Sequence, residues 1–494
     1  MDVAGAEGAL TGERYRRSLD DGREVWLAGE RVRDVAGHPA FAGTVAEFGR
    51  LYDRQHDPAL APRLTFPSPD TGNPVSRSYQ LPTNAEELRA KAENTRDWMR
   101  ASWGQLGRAP DFMANVTVGL HDFRDELEAN HQGFGENAVA YHRYAREHDL
   151  ALTHALGDPQ IDRSSSALED QDLALRVVRE TDNGVVVRGA KQLATLAPFA
   201  HEVLVYLNGV SALRGSERFV IWFALPMNAR GLRVLCREPL GDHRTGHGHP
   251  FARRFDEQDA MLFFEDVEIP WERIFLLRDG PLALRGLSRI NAWSMLSTHI
   301  RFHERLRTIA ATGSLVAQSV GVDAFRGIQE DLGELVSYVE TLRIGIEGSL
   351  ATGGPTPGGL YAPGESYGLG FWSAGISARA VEIVRRVGAS GVVMQPSEAD
   401  LAHPELRPLL DRYMRGKNID AAAKSRLFRL AWDLVADGFG ARQEMYEYLH
   451  RGDLGAGRVR LYRSWSDRGE LEERLRGLLA QPIPTSPTVP EGTR

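Results

Sequence analysis

Residues 173–195 read LALRVVRETDNGVVVRGAKQLAT, the clearest β pattern in a chain whose other parts have helical spacing. Two runs rich in β-branched residues flank Asp182-Asn183-Gly184, and Asn-Gly between such runs is a strong hairpin signal, since both residues tolerate positive φ. Further strand-length runs follow, separated by Gly and Pro: VLVYL, RFVIWFALP, GLRVLC and AMLFFEDVEIP. The sequence therefore predicts a small antiparallel β domain within residues 172–280.

Both flanks of this β block have helical spacing. Apolar residues recur every three or four positions before it and again from about residue 285 to 455. Helices, then strands, then helices favour an α+β protein over a doubly wound sheet. We expect a mainly helical domain over residues 1–155, a β-barrel-like domain over 156–284, a helical bundle over 285–480 and a disordered Pro- and Thr-rich tail over 481–494.

Composition excludes several classes of protein. The 494 residues suffice for roughly three structural units. A net charge of −8 does not favour nucleic-acid binding. The single cysteine, Cys236, permits neither an internal disulfide nor a Cys-based zinc cage, and we expect it to pack in the core. Neither a secretory signal nor a membrane-length apolar run is present, so we expect a cytoplasmic protein without a membrane partner.

Common nucleotide, hydrolase and metal motifs are missing. The sequence has no G-x-G-x-x-G after a strand, no P-loop and no G-x-S-x-G elbow. His299 and His303 have the i, i+4 spacing of a helical metal pair but lack the internal Glu of H-E-x-x-H. The loop GDHRTGHGHP carries His243, His247 and His249 among glycines. We interpret the His299 and His303 pair as part of an ordinary helix face and the three-histidine segment as a mobile loop, and we expect no metal site.

Two other segments are rich in polar residues. GRAPDF (107–112) presents an arginine in a turn, and LTHALGDPQIDRS (152–164) is irregular and lies between the helical and β blocks. Polar side chains concentrated at a domain junction are typical of ligand sites. From spacing alone, a solvated linker explains the second segment equally well.

These segments carry a family resemblance. The chain resembles the 4-hydroxyphenylacetate 3-monooxygenase oxygenase-component family from about residue 11 to about residue 465. Many separate motifs support this in order: TGERYRRSLDDGREVWLAGERVRDVAGHPAF, LYDRQHD, GRAPDF, LTHALGDPQIDR, GAKQLATLAP, FFEDVEIPWERIF, GASGVVMQPSEADL and GFGARQEMYE.

The resemblance implies an acyl-CoA dehydrogenase-like fold and an FADH2-dependent aromatic hydroxylase. Members of the family usually form homotetramers and take reduced FAD from a separate flavin reductase. Reduced flavin and O2 give a C4a-hydroperoxide, which transfers one oxygen atom to the carbon ortho to a phenol hydroxyl. Because the cofactor carries out the difficult step, the protein must bind and orient the substrate and exclude water.

The resemblance also assigns roles to residues. Arg108 would be the cation beside the phenol oxygen, where it favours the phenolate, and His154 would act as a base on the same oxygen. The substrate-binding set would be Arg108, Phe112, His154, Asn208 and Gly209. The flavin contacts would be His154, Ala155, Leu156, Gln160, Ile161, Asp162, Arg163, Thr195 and, at the adenosine end, Arg442.

Two departures bear on the substrate. Phe112 stands where members of the family usually have a tyrosine, which removes a hydroxyl aimed at the substrate oxygen. Asn208 and Gly209 replace small hydroxyl residues that bind the carboxylate of 4-hydroxyphenylacetate. The substrate is therefore open: a larger, neutral or carrier-protein-tethered phenol of secondary metabolism would fit, with residues 212–218 as a closing loop.

Three other functions stay open at this point. For an N-oxygenase, the hydroxyl missing at Phe112 would matter less, because an amine is already nucleophilic. An acyl-CoA dehydrogenase-like oxidase would need a catalytic carboxylate in the C-terminal bundle, for which Glu382 and Glu398 are the candidates. Arg108 and His154 argue against a catalytically silent scaffold.

Overall fold

The computed structural model describes residues 1–3, 5–162, 164–165, 170, 172, 174–206, 216–241, 246–450 and 452–481. Helices dominate both ends of this part of the chain and β-sheets lie between them, so the predicted α+β class is confirmed. Three predicted site residues, Arg163, Asn208 and Gly209, lie outside the described residues. So do most of the predicted closing loop and residues 482–494 of the predicted tail.

The central block consists of two sheets. Their strands are β1 (Val25–Leu27), β2 (Glu30–Val32), β5 (Leu152–Ala155), β6 (Arg176–Thr181), β7 (Gly184–Thr195), β8 (Glu202–Val205), β9 (Ile221–Pro226), β10 (Leu232–Cys236), β11 (Asp259–Pro270) and β12 (Ile274–Leu277). The larger sheet has the order β2-β1-β10-β11-β7-β6 and the smaller has the order β12-β9-β8-β5. Two short ribbons lie apart from them: β3 (Thr65–Pro67) with β4 (Pro74–Ser76), and β13 (Gly354–Pro355) with β14 (Tyr361–Ala362).

Most strand pairs are antiparallel, as predicted, but two are parallel. Strand β1 pairs parallel with β10, and β5 pairs parallel with β8. Parallel neighbours need long connections, which local sequence patterns do not reveal. The sheets draw β1, β2 and β5 from the stretch predicted as the N-terminal helical domain. The division into domains after residues 155, 284 and 480 stays a prediction.

The hairpin predicted at Asp182-Asn183-Gly184 is present and joins β6 to β7. Asp182 and Asn183 form its turn, while Gly184 is the first residue of β7 and does not have a positive φ. The glycine is required for close approach instead, because a Cβ would lie 1.9 Å from the carbonyl oxygen of Ile269 on β11. The sequence therefore predicted the hairpin correctly but gave the wrong reason for its glycine.

Helices precede the sheets and pack on them. They are α1 (Gly12–Ser18), α2 (Ala42–Asp53), α3 (Ala61–Leu64), α4 (Ala85–Ala101), α5 (Pro110–Asp122), α6 (Arg124–Asn130) and α7 (Phe134–Glu147). Helix α5 begins at Pro110, whose fixed φ and missing N–H suit the first helical turn. Nearly all of its residues are buried, so α5 passes through the centre of the molecule and fixes the turn that precedes it.

The remaining helices follow or interrupt the sheets. They are α8 (Ala252–Phe255), α9 (Gly280–Ile290), α10 (Ala292–Val320), α11 (Arg326–Ala351), α12 (Tyr367–Val393), α13 (Glu398–Ala402), α14 (Arg407–Tyr413), α15 (Ala421–Val435), α16 (Gly438–Leu449), α17 (Leu454–Arg463) and α18 (Arg468–Leu479). A continuous hydrophobic core joins α8–α12, α15 and α16 to the sheets and to α4 and α5. Among the described helices, none combines the length and the apolarity needed to cross a membrane.

Candidate active site

Arg108 lies in the turn between α4 and α5 and is only 7% exposed. Its Nε donates a hydrogen bond to Nε2 of His154 at 3.0 Å. Its Nη1 donates to the carbonyl oxygen of Gly107 at 3.1 Å and to the hydroxyl of Tyr446. Within the described part of the chain, Nη2 makes no hydrogen bond, so this atom is left to donate to a ligand.

His154 lies on β5, where it pairs with Leu204 of β8. Its Nδ1 is 2.7 Å from the hydroxyl of Tyr206. Because Nε2 accepts from Arg108, the ring proton lies on Nδ1 and is donated to the Tyr206 oxygen. Burial and, secondly, the charge of Arg108 hold the pKa of His154 well below its usual range. The imidazole is therefore neutral, with one defined tautomer.

Phe112 covers one face of the Arg108 guanidinium. The Cζ of Arg108 is 4.1 Å from the centre of the Phe112 ring, a cation–π geometry. The same ring meets His154 edge to face, with ring centres 5.7 Å apart. The structure therefore brings together Arg108, Phe112 and His154, and position 112 offers an apolar wall in place of a hydroxyl.

A cluster of charged side chains continues from Arg108 to Thr195. The two oxygens of Glu257 accept from the backbone N–H of Arg108 at 2.7 Å and from Nη1 of Arg442 at 2.8 Å. Nε and Nη2 of Arg442 donate to Asp259 at 2.9 and 2.5 Å. The hydroxyl of Thr195 donates to Asp259 at 2.8 Å. The cluster thereby connects α16, β11 and β7 to the Arg108 turn.

Carboxylates within the chain already engage Arg442. Burial acts to raise the pKa of Asp259, but Arg442 and Arg237 more than offset it and hold that pKa below its usual range. Burial likewise opposes the charge of Arg442, whose pKa is nevertheless raised by Asp259 and Glu257. All these groups are therefore charged and internally paired. A contact between Arg442 and the adenosine end of a flavin stays a prediction.

A buried ion pair anchors the segment after β5. Lys191 Nζ lies 2.7 Å from Oδ1 of Asp158 and donates to the carbonyl oxygen of Leu156 at 3.2 Å. Gly157 and Gln192 form an isolated antiparallel bridge beside it. The two sequence motifs LTHALGDPQIDR and GAKQLATLAP are thus two sides of one structural unit.

The predicted flavin contacts fall into a buried and an exposed group. His154, Ala155 and Thr195 are buried, and Leu156 is half-buried. Gln160, Ile161 and Asp162 are exposed. Ile161 and Leu193 are large apolar side chains that are 52% and 55% exposed.

Helix α16 holds the Arg108 turn in place. Tyr446 donates its hydroxyl hydrogen to the carbonyl oxygen of Gly107 at 3.1 Å, and Gln443 donates to that of Gln105 at 2.6 Å. A Cβ on Gly107 would lie 2.5 Å from Cζ of Tyr446. Glycine at position 107 therefore permits the close approach of this tyrosine.

Three residues of the site were missed by sequence reasoning: Tyr206, Glu257 and Tyr446. Tyr446 lies one helical turn after Arg442, so the two share a helix face, and this spacing could have identified it. Tyr206 is the fourth residue of the strand run VLVYL, two residues before the predicted Asn208. Glu257 lies in a short acidic run before β11 and carries no comparable signal.

The other candidate residues from the sequence, His299, His303 and Cys236, have the environments of packed side chains. His299 is buried, and its Nδ1 lies 3.3 Å from the hydroxyl of Ser366. Burial lowers the pKa of His303 to about 4. Within the described residues, neither histidine belongs to a group of potential metal ligands. Burial raises the pKa of Cys236 to about 12, as suits a packed thiol.

Comparisons with known proteins agree along nearly the whole chain. The family model "4-hydroxyphenylacetate 3-hydroxylase N terminal" matches residues 11–276, and "4-hydroxyphenylacetate 3-hydroxylase C terminal" matches residues 287–480. The 4-hydroxyphenylacetate 3-monooxygenase oxygenase component of Geobacillus sp. (strain PA-9) is 34% identical over 453 residues, covering 90% of this chain and 91% of that protein.

Two further comparisons bear on ligands. A Streptomyces globisporus monooxygenase is 33% identical, covering 94% of this chain and 89% of its own, and its name gives a carrier-protein-bound 3-amino-3-(3-chloro-4-hydroxyphenyl)propanoyl group as substrate. A crystal structure of a 4-hydroxyphenylacetate 3-monooxygenase oxygenase component with FAD and 4-hydroxyphenylacetate superposes with a TM-score of 0.90. That chain is 32% identical, and the match covers 95% of this chain and 98% of that one.

Proposed function

The chain belongs to the 4-hydroxyphenylacetate 3-hydroxylase family, and from this premise we propose that it is the oxygenase component of a two-component aromatic monooxygenase. It uses FADH2 and O2 to insert one oxygen atom into a phenol, ortho to the hydroxyl. The arrangement of Arg108, with Nη2 left to donate beside a neutral His154, is the observation that carries this proposal.

Arg108 is suited to hold a phenolate. A free phenol has a pKa of about 10, and a buried cation within contact distance lowers that value. Because Nε and Nη1 are held by His154, Gly107 and Tyr446, the guanidinium is fixed before the substrate arrives. Preorganised donors of this kind need no rearrangement during the reaction.

His154 supplies a lone pair rather than a strong base. Its low pKa, from burial and Arg108, makes a lasting imidazolium unfavourable. When the Nε–H of Arg108 no longer donates to Nε2 of His154, Nε2 can accept the phenol proton transiently. Arg108 then stabilises the phenolate that remains. The proton held on Nδ1 by Tyr206 keeps the ring in the tautomer that can do this.

The residues predicted to meet FAD fit a large ligand with an apolar face. The exposed Ile161 and Leu193 offer apolar surface that a flavin ring would cover, and Thr195 retains acceptor capacity after donating to Asp259. We propose that this surface, with segment 154–163, holds the cofactor. When bound, reduced FAD supplies the activation of O2. Phe112 covers one face of the Arg108 guanidinium and keeps water from it.

The finer points of function are also proposals. A separate flavin reductase supplies FADH2, as the word "component" in the names of the relatives implies for them. Likeness to the Streptomyces globisporus enzyme supports a substrate larger than 4-hydroxyphenylacetate, free or bound to a carrier protein. The enzyme works as a homotetramer in the cytoplasm.

The acyl-CoA dehydrogenase-like alternative loses support. Glu382 is more than half exposed and lies 3.1 Å from Arg379 in a surface ion pair. Glu398 is exposed in the first turn of α13. Neither carboxylate lies in a buried cleft where it could remove a proton from a bound thioester.

The test is a reconstituted reaction with purified protein, FAD, a flavin reductase and NADH. A panel of free phenols and carrier-tethered phenols is incubated under labelled O2, and products are examined by mass spectrometry. We expect a catechol with one labelled oxygen, formed only when the reductase is present. Product from amines alone would favour N-oxygenation, and oxidation of acyl-CoA thioesters without oxygen insertion would contradict the proposal.

A further inference from the structure

A group of three potential metal ligands lies apart from the candidate active site. His249 follows the Gly-rich loop, Asp433 lies on α15, and Asp437 is the N-cap of α16. One ligand atom of each lies within 4.8 Å of the other two. Nδ1 of His249 is 3.0 Å from Oδ2 of Asp437 and 3.8 Å from Oδ1 of Asp433.

Asp433 is the residue that indicates a missing ligand. It is completely buried, and its Oδ2 accepts the backbone N–H groups of Phe251 and Ala252 at 2.6 and 2.9 Å. Its Oδ1 is buried too but accepts no hydrogen bond from the residues that the structure describes. A buried carboxylate oxygen without a donor is costly and needs an explanation. This oxygen lies 3.8 Å from Nδ1 of His249.

We propose that His249, Asp433 and Asp437 bind a divalent cation of the zinc type. One imidazole nitrogen and two carboxylate oxygens are ligands that zinc accepts, with water completing the shell. Tetrahedral bonds of about 2.0–2.1 Å separate neighbouring ligand atoms by roughly 3.3 Å. The two distances from His249 to the carboxylates lie on either side of that value, so only small side-chain movements are needed.

Binding must release a proton from the site. A hydrogen on Nδ1 of His249, which lies 3.0 Å from Oδ2 of Asp437, would occupy the lone pair through which this nitrogen binds a metal. The hydrogen therefore leaves to solvent as the cation enters. The two carboxylates then neutralise the two positive charges of the cation.

The proposed cation would join the connection between β10 and β11 to the corner between α15 and α16. Helix α16 begins at this corner and carries Gln443 and Tyr446, which hold the Arg108 turn. The cation would therefore be structural and would act on the candidate active site only through the position of α16. A cation here differs from the sequence-based expectation of no metal. The sequence could not reveal this site, because Asp433 and Asp437 lie far from His249 along the chain.

The experiment measures zinc binding by the full-length protein after dialysis against a chelator. Isothermal titration with Zn²⁺ should show one site per chain and a raised Tm, with Mg²⁺ much weaker. His249→Gln and Asp437→Asn should each weaken Zn²⁺ binding at least about tenfold, since even outer partners of metal ligands contribute that much. Asparagine remains a good N-cap, so Asp437→Asn should keep α16 intact.

His247→Gln is the matched control, because His247 lies in the same loop but outside the group of ligands. It should bind Zn²⁺ as the unaltered chain does, and circular dichroism should show that every variant is folded. Absence of stoichiometric Zn²⁺ binding, or equal losses in His247→Gln and His249→Gln, overturns the proposal. In that case His249, Asp433 and Asp437 form a polar cluster without a metal ion.

Discussion

The Nε–H of Arg108 donates to Nε2 of His154 at 3.0 Å, so the cation and the imidazole form one unit. We expect the Nε2 lone pair of His154 to accept a phenol proton. The same lone pair already accepts a hydrogen bond from Arg108, which we expect to stabilise the phenolate. Substrate binding and proton acceptance are therefore linked through a single hydrogen bond. Several consequences of this arrangement can be measured.

Replacing Arg108 with alanine should uncouple oxygen consumption from hydroxylation. A charge-assisted hydrogen bond is worth about 1.5–3 kcal/mol, so product per O2 consumed should fall by at least about tenfold. Oxygen uptake and product formation are measured together with an active phenol. Arg100→Ala, at an exposed position on α4, serves as the control and should remain coupled. Normal coupling in Arg108→Ala would show that Arg108 does not hold the phenol.

Replacing Tyr206 with phenylalanine should leave Arg108 alone to fix the tautomer of His154, so the imidazole should be held less firmly. The variant keeps the ring but removes the oxygen that accepts from Nδ1. Loss of a neutral hydrogen bond costs about 0.5–1.5 kcal/mol, so kcat should fall by roughly twofold to tenfold. Nitrogen NMR of the imidazole reports the tautomer directly. The exposed Tyr413→Phe is the control, and an unchanged His154 spectrum in Tyr206→Phe would refute the role of Tyr206.

Replacing Tyr446 with phenylalanine should loosen Arg108 without unfolding the protein. The aromatic ring and its contacts stay, while the hydroxyl between Arg108 and Gly107 is lost. We expect coupling of O2 use to product to fall while Tm changes little. Tyr448→Phe, on the exposed face of the same helix, should leave both quantities unchanged. Equal coupling in the two variants would rule out positioning by Tyr446.

Replacing Gly107 with alanine should lower the stability of the protein far more than the same replacement at a glycine with free space around it. The new Cβ would lie 2.5 Å from Cζ of Tyr446, and overpacking of this kind costs about 1–3 kcal/mol. Gly327 on α11 has no atom within reach of a Cβ, so Gly327→Ala should be neutral or stabilising by up to about 1 kcal/mol. Denaturant unfolding of both variants checks the difference. Similar stabilities would mean that the turn relaxes around the methyl group.

Asp111 should make stability fall as pH rises through the mildly acidic range. Burial, only partly offset by hydrogen bonds from Thr95 and Ser297, raises the pKa of Asp111 to about 6. The folded state then binds its proton more tightly than the unfolded state, whose Asp pKa is about 3.9. The contribution of Asp111 to the free energy of unfolding therefore decreases from about pH 4 to about pH 6, by up to about 1.4 kcal/mol per pH unit.

Asp111→Asn removes this titration. Chemical unfolding at several pH values between about 4 and 6 should give a shallower slope for the variant than for the unaltered chain. Asp149, whose pKa burial also raises to about 6, contributes to the slope that remains. An identical slope in the two proteins would contradict a raised pKa at Asp111.

The sequence was sufficient where the information is local or is repeated in motifs. The β6–β7 hairpin follows from one turn signal, and Arg108, Phe112 and His154 follow from motif resemblance. Glu257 and Tyr446 could not be found in this way, because they contact Arg108 across 149 and 338 residues of chain. Such pairings are decided by how the sheets and helices pack, and no local pattern encodes them. The parallel pairing of β1 with β10 was missed for the same reason.

The hydrogen bond from Arg108 to Tyr446 also has a consequence for the biosynthesis of the protein. Its two partners are separated by 338 residues, so at about 5–20 residues per second the ribosome needs roughly 20–70 s to add the second after the first. Throughout that interval the nascent chain cannot complete its arginine site. The contact that positions Arg108 for the substrate therefore forms only when the chain is nearly complete.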